Sequence, residues 1–279
     1  MSYLQVLPEV YSQGIASWDL TTLEEIRMRV GQPVSLRMGC VEKELWPRVE
    51  PEHLDQVIQR ACHHSVYACM DTLREGYLTI EGGHRIGVCG SGVDRDGRLR
   101  TLHLPSSLVL RIAKQVPGCA DKLFPFLDVS TLILGPPGRG KTTVLRDAVR
   151  LLSDRKKQRV GLVDERGEIA ACIGGVPQLC IGGRTDVLVN VRKSTAIMML
   201  LRTMTPQWIA VDEITEQADI EVMEQAAYCG AYILATAHAF DAEDLKKRPL
   251  YRRLLESCVF SRTVVLREDR SYEIVEVGN

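Results

Sequence analysis

The chain has 279 residues, a formal net charge of −1 and 45% hydrophobic residues. This length accommodates two domains or one large one with a real core, and the near-neutral charge argues against a generally basic nucleic-acid binder. Nine cysteines at irregular spacing, none in a CxxC pair, fit neither a disulfide framework nor a zinc site and read as reduced cytoplasmic thiols.

The N-terminus lacks a basic region followed by an apolar run and a small-residue cleavage site, so a cytoplasmic location is expected. Ile26, Met28 and Val30 alternate with Arg27 and Arg29, a strand with one apolar face and a solvated arginine face. Gly31-Gln32-Pro33 then turns into a second strand at Val34–Met38. Between Pro51 and Glu75, Leu54, Val57, Ile58 and Ala61, then Val66, Cys69, Met70 and Leu73, follow helical spacing, with Gly76 placed to end the second helix. Cys62-His63-His64 has metal-ligand residue types, but no second ligand cluster accompanies it, so surface and core roles are assigned. Tyr77–Glu81, Arg85–Val88 and Leu108–Ile112 read as strands between glycine-rich turns. Residues 1–115 are therefore expected to form a smaller α+β domain.

Lys114-Gln115-Val116-Pro117-Gly118 marks a boundary, followed by a short helix at Ala120–Leu127. From residue 116 to 279, strands at Thr131–Leu134, Val160–Val163, Trp208–Val211 and Ala231–Thr236 alternate with helices at Gly140–Leu152, Ser194–Met204 and Asp219–Cys229. This alternation is the signal of an α/β domain with a parallel sheet covered on both faces. Ala226–Phe240 is too short for a membrane span and holds Tyr228, Thr236 and His238, so it reads as a helix end and a buried strand. Thr263–Arg267 and Tyr272–Val277 form a closing hairpin.

Gly135-Pro136-Pro137-Gly138-Arg139-Gly140-Lys141-Thr142 joins the first of these strands to its helix, the context a phosphate-binding loop requires. Its glycines let consecutive N–H groups face one anion, and the helix N-terminus adds partial positive charge. Lys141 is expected on the β/γ-phosphates, the Thr142 hydroxyl on Mg²⁺, and Thr143 on the α-phosphate. The expected ligand is ATP with Mg²⁺.

Trp208-Ile209-Ala210-Val211-Asp212-Glu213 is an apolar strand ending in two carboxylates, Walker B in form. Asp212 is assigned to Mg²⁺ and Glu213 to orienting the attacking water, with Glu168 the next candidate base. Two further segments end neighbouring strands: Asp164-Glu165-Arg166-Gly167-Glu168 with three acids, and Thr236-Ala237-His238 with a histidine. Ligands bind at the carboxyl edge of a doubly wound sheet, so these groups are expected to converge near the γ-phosphate, with His238 a donor to it.

The order of phosphate loop, acidic box at Asp164–Glu168, Leu201-Arg202-x-x-x-Pro206, Walker B strand and Thr-x-His-Ala box resembles the traffic ATPases of type II and type IV secretion and pilus systems. Asp164-Glu165-Arg166-x-Glu168-Ile169, Gly183-Arg184-Thr185-Asp186-Val187-Leu188, Met198–Arg202 and Val211–Ile214, with Glu81-Gly82-Gly83-His84-Arg85, resemble the stage III sporulation AA family within that group. This resemblance covers nearly the whole chain. It implies a RecA-like P-loop ATPase domain behind the smaller N-terminal α+β domain, and assembly into a ring, a hexamer as in such relatives. It also implies work beside an integral-membrane component of a secretion-like channel during endospore formation, with the chain at the membrane only through that partner.

The resemblance further implies that Arg85 and Arg111 close over nucleotide and that Arg202 is a sensor or finger arginine, with Arg184 another candidate. A finger arginine is worth roughly 10³–10⁵ in rate. Traffic ATPases usually carry Gly-Glu where this chain has Asp212-Glu213, so Mg²⁺ at Asp212 rests on general NTPase chemistry. Two other readings are a nucleotide-gated assembly scaffold with little turnover and a nucleic-acid translocase. The balanced charge and the lack of an aromatic, basic stretch count against the latter.

Overall fold

The computed structural model describes residues 2–62, 69–95, 98–269 and 271–276. They fall into two compact units, Met1–Lys114 with Ala171–Gln178, and Gln115–Ala170 with Leu179–Asn279.

The first unit opens with two short helices, α1 (Ser2–Gln5) and α2 (Glu9–Ala16), and continues with strands β1 (Leu23–Arg29), β2 (Pro33–Met38) and β3 (Val41–Arg48). Helices α3 (Pro51–Ala61) and α4 (Met70–Arg74) precede strands β4 (Tyr77–Ile80), β5 (His84–Arg95) and β6 (Arg98–Arg111). The strands form an antiparallel sheet in the order β3-β2-β1-β6-β5-β4. Alternation turns Ile26, Met28, Val34, Leu36, Ile86, Val88, Leu108 and Leu110 to one face, where they join Leu54, Val57 and Ala61 of α3 in a buried cluster. Gly76, at φ +82°, follows α4 and ends it by donating to the Leu73 carbonyl. The Val66 of the expected helical pattern, and His63 and His64, lie outside the described residues; Cys62 is buried at the end of α3.

Strands β5 and β6 run well beyond the segments expected from sequence. Their pairing shifts register around Gly90, where an added Cβ would lie 2.8 Å from the Leu104 carbonyl oxygen. Gly90 is there because two backbones approach closely, not to make a turn. Strand β3 is almost wholly exposed, so it carries no apolar alternation to betray it.

In the second unit the helix expected at Ala120–Leu127 does not form. Turns lead to a single 3₁₀ turn at Phe124–Phe126, because Pro125 has no N–H to give and disfavours helical backbone at Phe124. The Asp147 carboxylate takes the Ala120 N–H instead, at 2.8 Å. The body of the unit is strand β7 (Thr131–Leu134), helix α5 (Lys141–Asp154), strands β8 (Val160–Asp164) and β9 (Thr185–Val189), helix α6 (Lys193–Thr203) and strand β10 (Trp208–Val211). Helix α7 (Gln217–Tyr228), strand β11 (Tyr232–Ala237), helices α8 (Ala242–Lys247) and α9 (Pro249–Glu256) and the hairpin β12 (Arg262–Leu266) and β13 (Tyr272–Glu276) complete it; Val277 lies outside the described residues.

The sheet order is β13-β12-β7-β11-β10-β8-β9, parallel except for the last hairpin. Strands β7, β8 and β10 are buried along their whole length, as continuous apolar runs between helix layers should be. This is the expected RecA-like α/β arrangement. Its consequence for the site is that β11 lies between β7, which carries the phosphate loop, and β10, which carries the two carboxylates. The segment leaving β11 therefore emerges between Lys141 and Glu213.

Candidate functional site

The phosphate loop leaves β7 and enters α5 through two glycines with left-handed backbone, Gly138 at φ +76° and Gly140 at φ +85°. An added Cβ at either would meet nothing within 4 Å, so these positions need glycine for its torsion angles and not for space. Lys141 is 5% exposed and donates to the Pro136 carbonyl at 3.0 Å and to Nδ1 of His238 at 2.9 Å. Burial pulls its pKa below the ordinary lysine value, while Asp212 and Glu213 push it back up.

At the end of β10, the Thr142 hydroxyl donates to Oδ2 of Asp212 at 2.6 Å, and the Thr236 hydroxyl donates to Oδ1 of the same carboxylate. Thr236 also accepts the Glu213 N–H at 2.8 Å. One hydroxyl thus fixes both acids. The tether matters because Glu213 sits at φ +53°, a conformation that costs a non-glycine residue about 1–3 kcal/mol and survives only where neighbours impose it.

His238, just past β11, spans the two halves of the site. The Lys141 ammonium can only donate, so Nδ1 accepts and Nε2 carries the proton, which it gives to Oε1 of Glu213 at 2.9 Å. Oε2 of Glu213 receives Nη1 of Arg166, also at 2.9 Å. Lys141, His238, Glu213 and Arg166 form one unbroken chain of charge-assisted hydrogen bonds.

The acidic box is built differently from the sequence expectation of three acids converging on phosphate. Asp164 is 1% exposed and turns back into its own loop, accepting the N–H groups of Glu168, Ile169 and Ala170. Glu165 pairs with the buried Lys193. The Glu168 side chain is exposed and its carbonyl is held by Arg146. The residue of this box that reaches the site is Arg166, which a reading focused on acids passes over. In the sequence Thr236 stands out only as part of the Thr-x-His-Ala box.

The expected arginines fare unevenly. Arg139, within the phosphate loop, pairs with Glu268 of the turn between β12 and β13. Arg184 precedes β9 and donates to the Lys157 carbonyl, at the amino edge of the sheet, opposite the phosphate loop. Arg202 lies exposed in the last turn of α6, ahead of β10, and so also at that far edge. In the first unit Arg85 and Arg111 are direct partners on β5 and β6, with Glu25 of β1 next in the row, and the Arg85 guanidinium lies 3.7 Å from the centre of the Tyr77 ring.

A cavity of about 440 Å³ adjoins the phosphate loop, lined by Gly138, Gly140, Thr143, Cys119, Leu266 and Tyr272 among others. Burial and the nearby Asp147 push the Cys119 thiol up to about 11, and burial pushes the Tyr272 phenol up to about 12, so both are neutral at physiological pH. Thr143 turns its carbonyl toward the Cys119 sulfur at 3.6 Å.

Residues 11–277 match the family described as sporulation stage III, protein AA. The chain belongs to that family. Stage III sporulation protein AA of Bacillus subtilis (strain 168) is 38% identical over 277 residues, covering 94% of this chain and 89% of that protein. Among solved structures, the pilus retraction motor PilT with bound ADP aligns with 100% of this chain and 84% of its own, at a TM-score of 0.65 and 17% identity. The ATPase DotB of Legionella pneumophila aligns with 90% of this chain and 75% of its own, at a TM-score of 0.58 and 14% identity. This member of the sporulation stage III protein AA family therefore shares the fold of secretion traffic ATPases. Among the described residues, no helix is long and apolar enough to cross a membrane.

Proposed function

We propose that this chain binds ATP with Mg²⁺ at the phosphate loop and hydrolyses it, as the motor subunit of a ring that energises a secretion-like complex during endospore formation. The observation that carries the reading is the convergence of Lys141, Thr142, Asp212, Glu213 and His238 from three adjacent strand ends. Lys141 and the loop N–H groups would take the β- and γ-phosphates. The adjacent 440 Å³ cavity offers room for the nucleoside.

The Thr142 hydroxyl and Asp212 carboxylate, 2.6 Å apart beside the buried lysine, are the hard oxygen donors that Mg²⁺ prefers, and these two would hold it. Bound there, the ion neutralises phosphate charge. Glu213 orients a water toward the γ-phosphorus. The water oxygen forms the new P–O bond, the bond to the β-phosphate oxygen breaks, and the water proton leaves toward the Glu213 carboxylate. His238, with a proton on Nε2, holds that carboxylate and links its state to Lys141.

Assembly as a ring, placement in the cytoplasm and recruitment by an integral-membrane partner belong to the same proposal and rest on the likeness to secretion ATPases. ATP binding by calorimetry, with phosphate release measured for the wild type and Glu213→Gln, tests the core of it. The variant should bind ATP–Mg²⁺ and turn over at least about tenfold more slowly. A wild type that binds ATP without releasing phosphate leaves the assembly scaffold as the better reading.

A further inference from the structure

Resting on the reading of Glu213 just given, we infer that Arg166 is the positioning residue that sets the orientation of the Glu213 carboxylate. With His238 on Oε1 alone, the carboxylate would pivot about that one hydrogen bond. The second donor, Arg166 on Oε2, removes the rotation and leaves each oxygen with a lone pair free for water.

An arginine side chain that is 62% exposed is ordinarily a poor anchor, because pairing it costs side-chain entropy and solvent screens the charge. The loop beneath Arg166 changes that balance. Asp164 gathers the N–H groups of Glu168, Ile169 and Ala170, and Arg146, itself buried on α5, donates Nε and Nη2 to the carbonyls of Ile169 and Glu168. Glu165 is fixed by Lys193 on α6, and Gly167 supplies the left-handed turn at φ +65°. The segment after Arg166 is therefore held from the helix that begins at the phosphate loop and the residue before it from α6, so the guanidinium starts close to its bound position and less freedom is lost on pairing. The carboxylates of Asp164 and Glu165 serve this platform, which explains why Asp164 faces away from the site.

The test is steady-state phosphate release for Arg166→Ala, Arg166→Lys, Glu213→Gln and the Arg166→Ala/Glu213→Gln double variant. Arg166→Ala should lower kcat about tenfold while KM for ATP stays within about twofold, because the geometry of attack and not nucleotide binding is lost. Arg166→Lys should recover part of the loss. In the Glu213→Gln background, Arg166→Ala should cost less than about twofold, since the two residues act through one group. A wild-type kcat in Arg166→Ala, a faster one, or an equal loss in both backgrounds overturns the inference. If Glu213→Gln is slow while Arg166→Ala is at wild-type rate, only the role of Arg166 falls. If Glu213→Gln itself runs at wild-type rate, the reading of Glu213 falls with it.

Discussion

Lys141 and His238 are joined by a 2.9 Å hydrogen bond although 97 residues separate them in the chain. The bond exists because β11 is inserted between the strand of the phosphate loop and the strand of the carboxylates. The Lys141 ammonium spends two of its three protons on the Pro136 carbonyl and on His238, and on the reading proposed above the third would meet a phosphate. The other side of the same imidazole holds Glu213, so a phosphate bound at Lys141 would be linked through His238 to that carboxylate.

Lys141→Ala should reduce ATP affinity by about ten- to a hundredfold, since a charge-assisted contact is worth about 1.5–3 kcal/mol. The fold should survive, because the glycine torsions of the loop do not depend on the side chain. Calorimetry for binding and circular dichroism for structure check the two halves of this expectation. Unchanged affinity would remove the phosphate-loop assignment.

Thr236→Val deletes a hydroxyl that accepts from Glu213 and donates to Asp212, while keeping the shape of the side chain. The Glu213 N–H loses its partner at a residue already in strained backbone, so about 1–3 kcal/mol of stability should be lost, with turnover falling further than ATP affinity. Thr236→Ser keeps the hydroxyl and should be close to wild type in both respects. Chemical denaturation alongside phosphate release separates the two effects.

The sequence makes the phosphate loop and the Trp208–Val211 strand readable because each is local: glycine torsions, a Lys-Thr pair and a continuous apolar run lie within a few residues. The role of Arg166 is not local. Asp164, Glu165 and Glu168 look like a cluster facing a ligand until burial shows Asp164 turned into its own backbone. The same limit applies to β3, which has no apolar face, and to the long β5–β6 hairpin, where Gly90 marks close backbone approach and a register shift. Arg184 and Arg202 carry a family resemblance in sequence, but the strand direction places both at the edge of the sheet away from the phosphate loop.

His84 should make the stability of the first unit depend on pH. It is 8% exposed, and its Nδ1 accepts the Ala113 N–H at 3.0 Å, so burial holds its pKa below the ordinary value of 6.5. As pH falls through 6.5, the unfolded chain takes up a proton that the folded imidazole refuses, and stability drops until the folded pKa is passed. His84→Asn keeps an acceptor near the Nδ1 position but cannot titrate. Urea midpoints at pH 7.5 and 5.5 should differ more for the wild type than for this variant, and equal differences would show that His84 does not contribute.

The far-edge position of Arg202 sharpens the question of whether it acts on nucleotide at all. Helix α6 runs from Lys193, which meets Glu165 at the carboxyl edge, down to Arg202, about 14 Å of helix away. Within one chain Arg202 is thus carried away from Lys141, and any role on phosphate has to be played on a neighbouring subunit. If the chain assembles as a ring in this way, Arg202→Ala and Glu213→Gln subunits should each be inactive alone. Mixed together, they should recover activity, because some interfaces then pair an intact arginine with an intact glutamate. Phosphate release measured across mixing ratios, with co-assembly confirmed by light scattering, should pass through a maximum. Full activity of Arg202→Ala by itself, or no recovery at any ratio despite co-assembly, would leave Arg202 as a surface residue of α6.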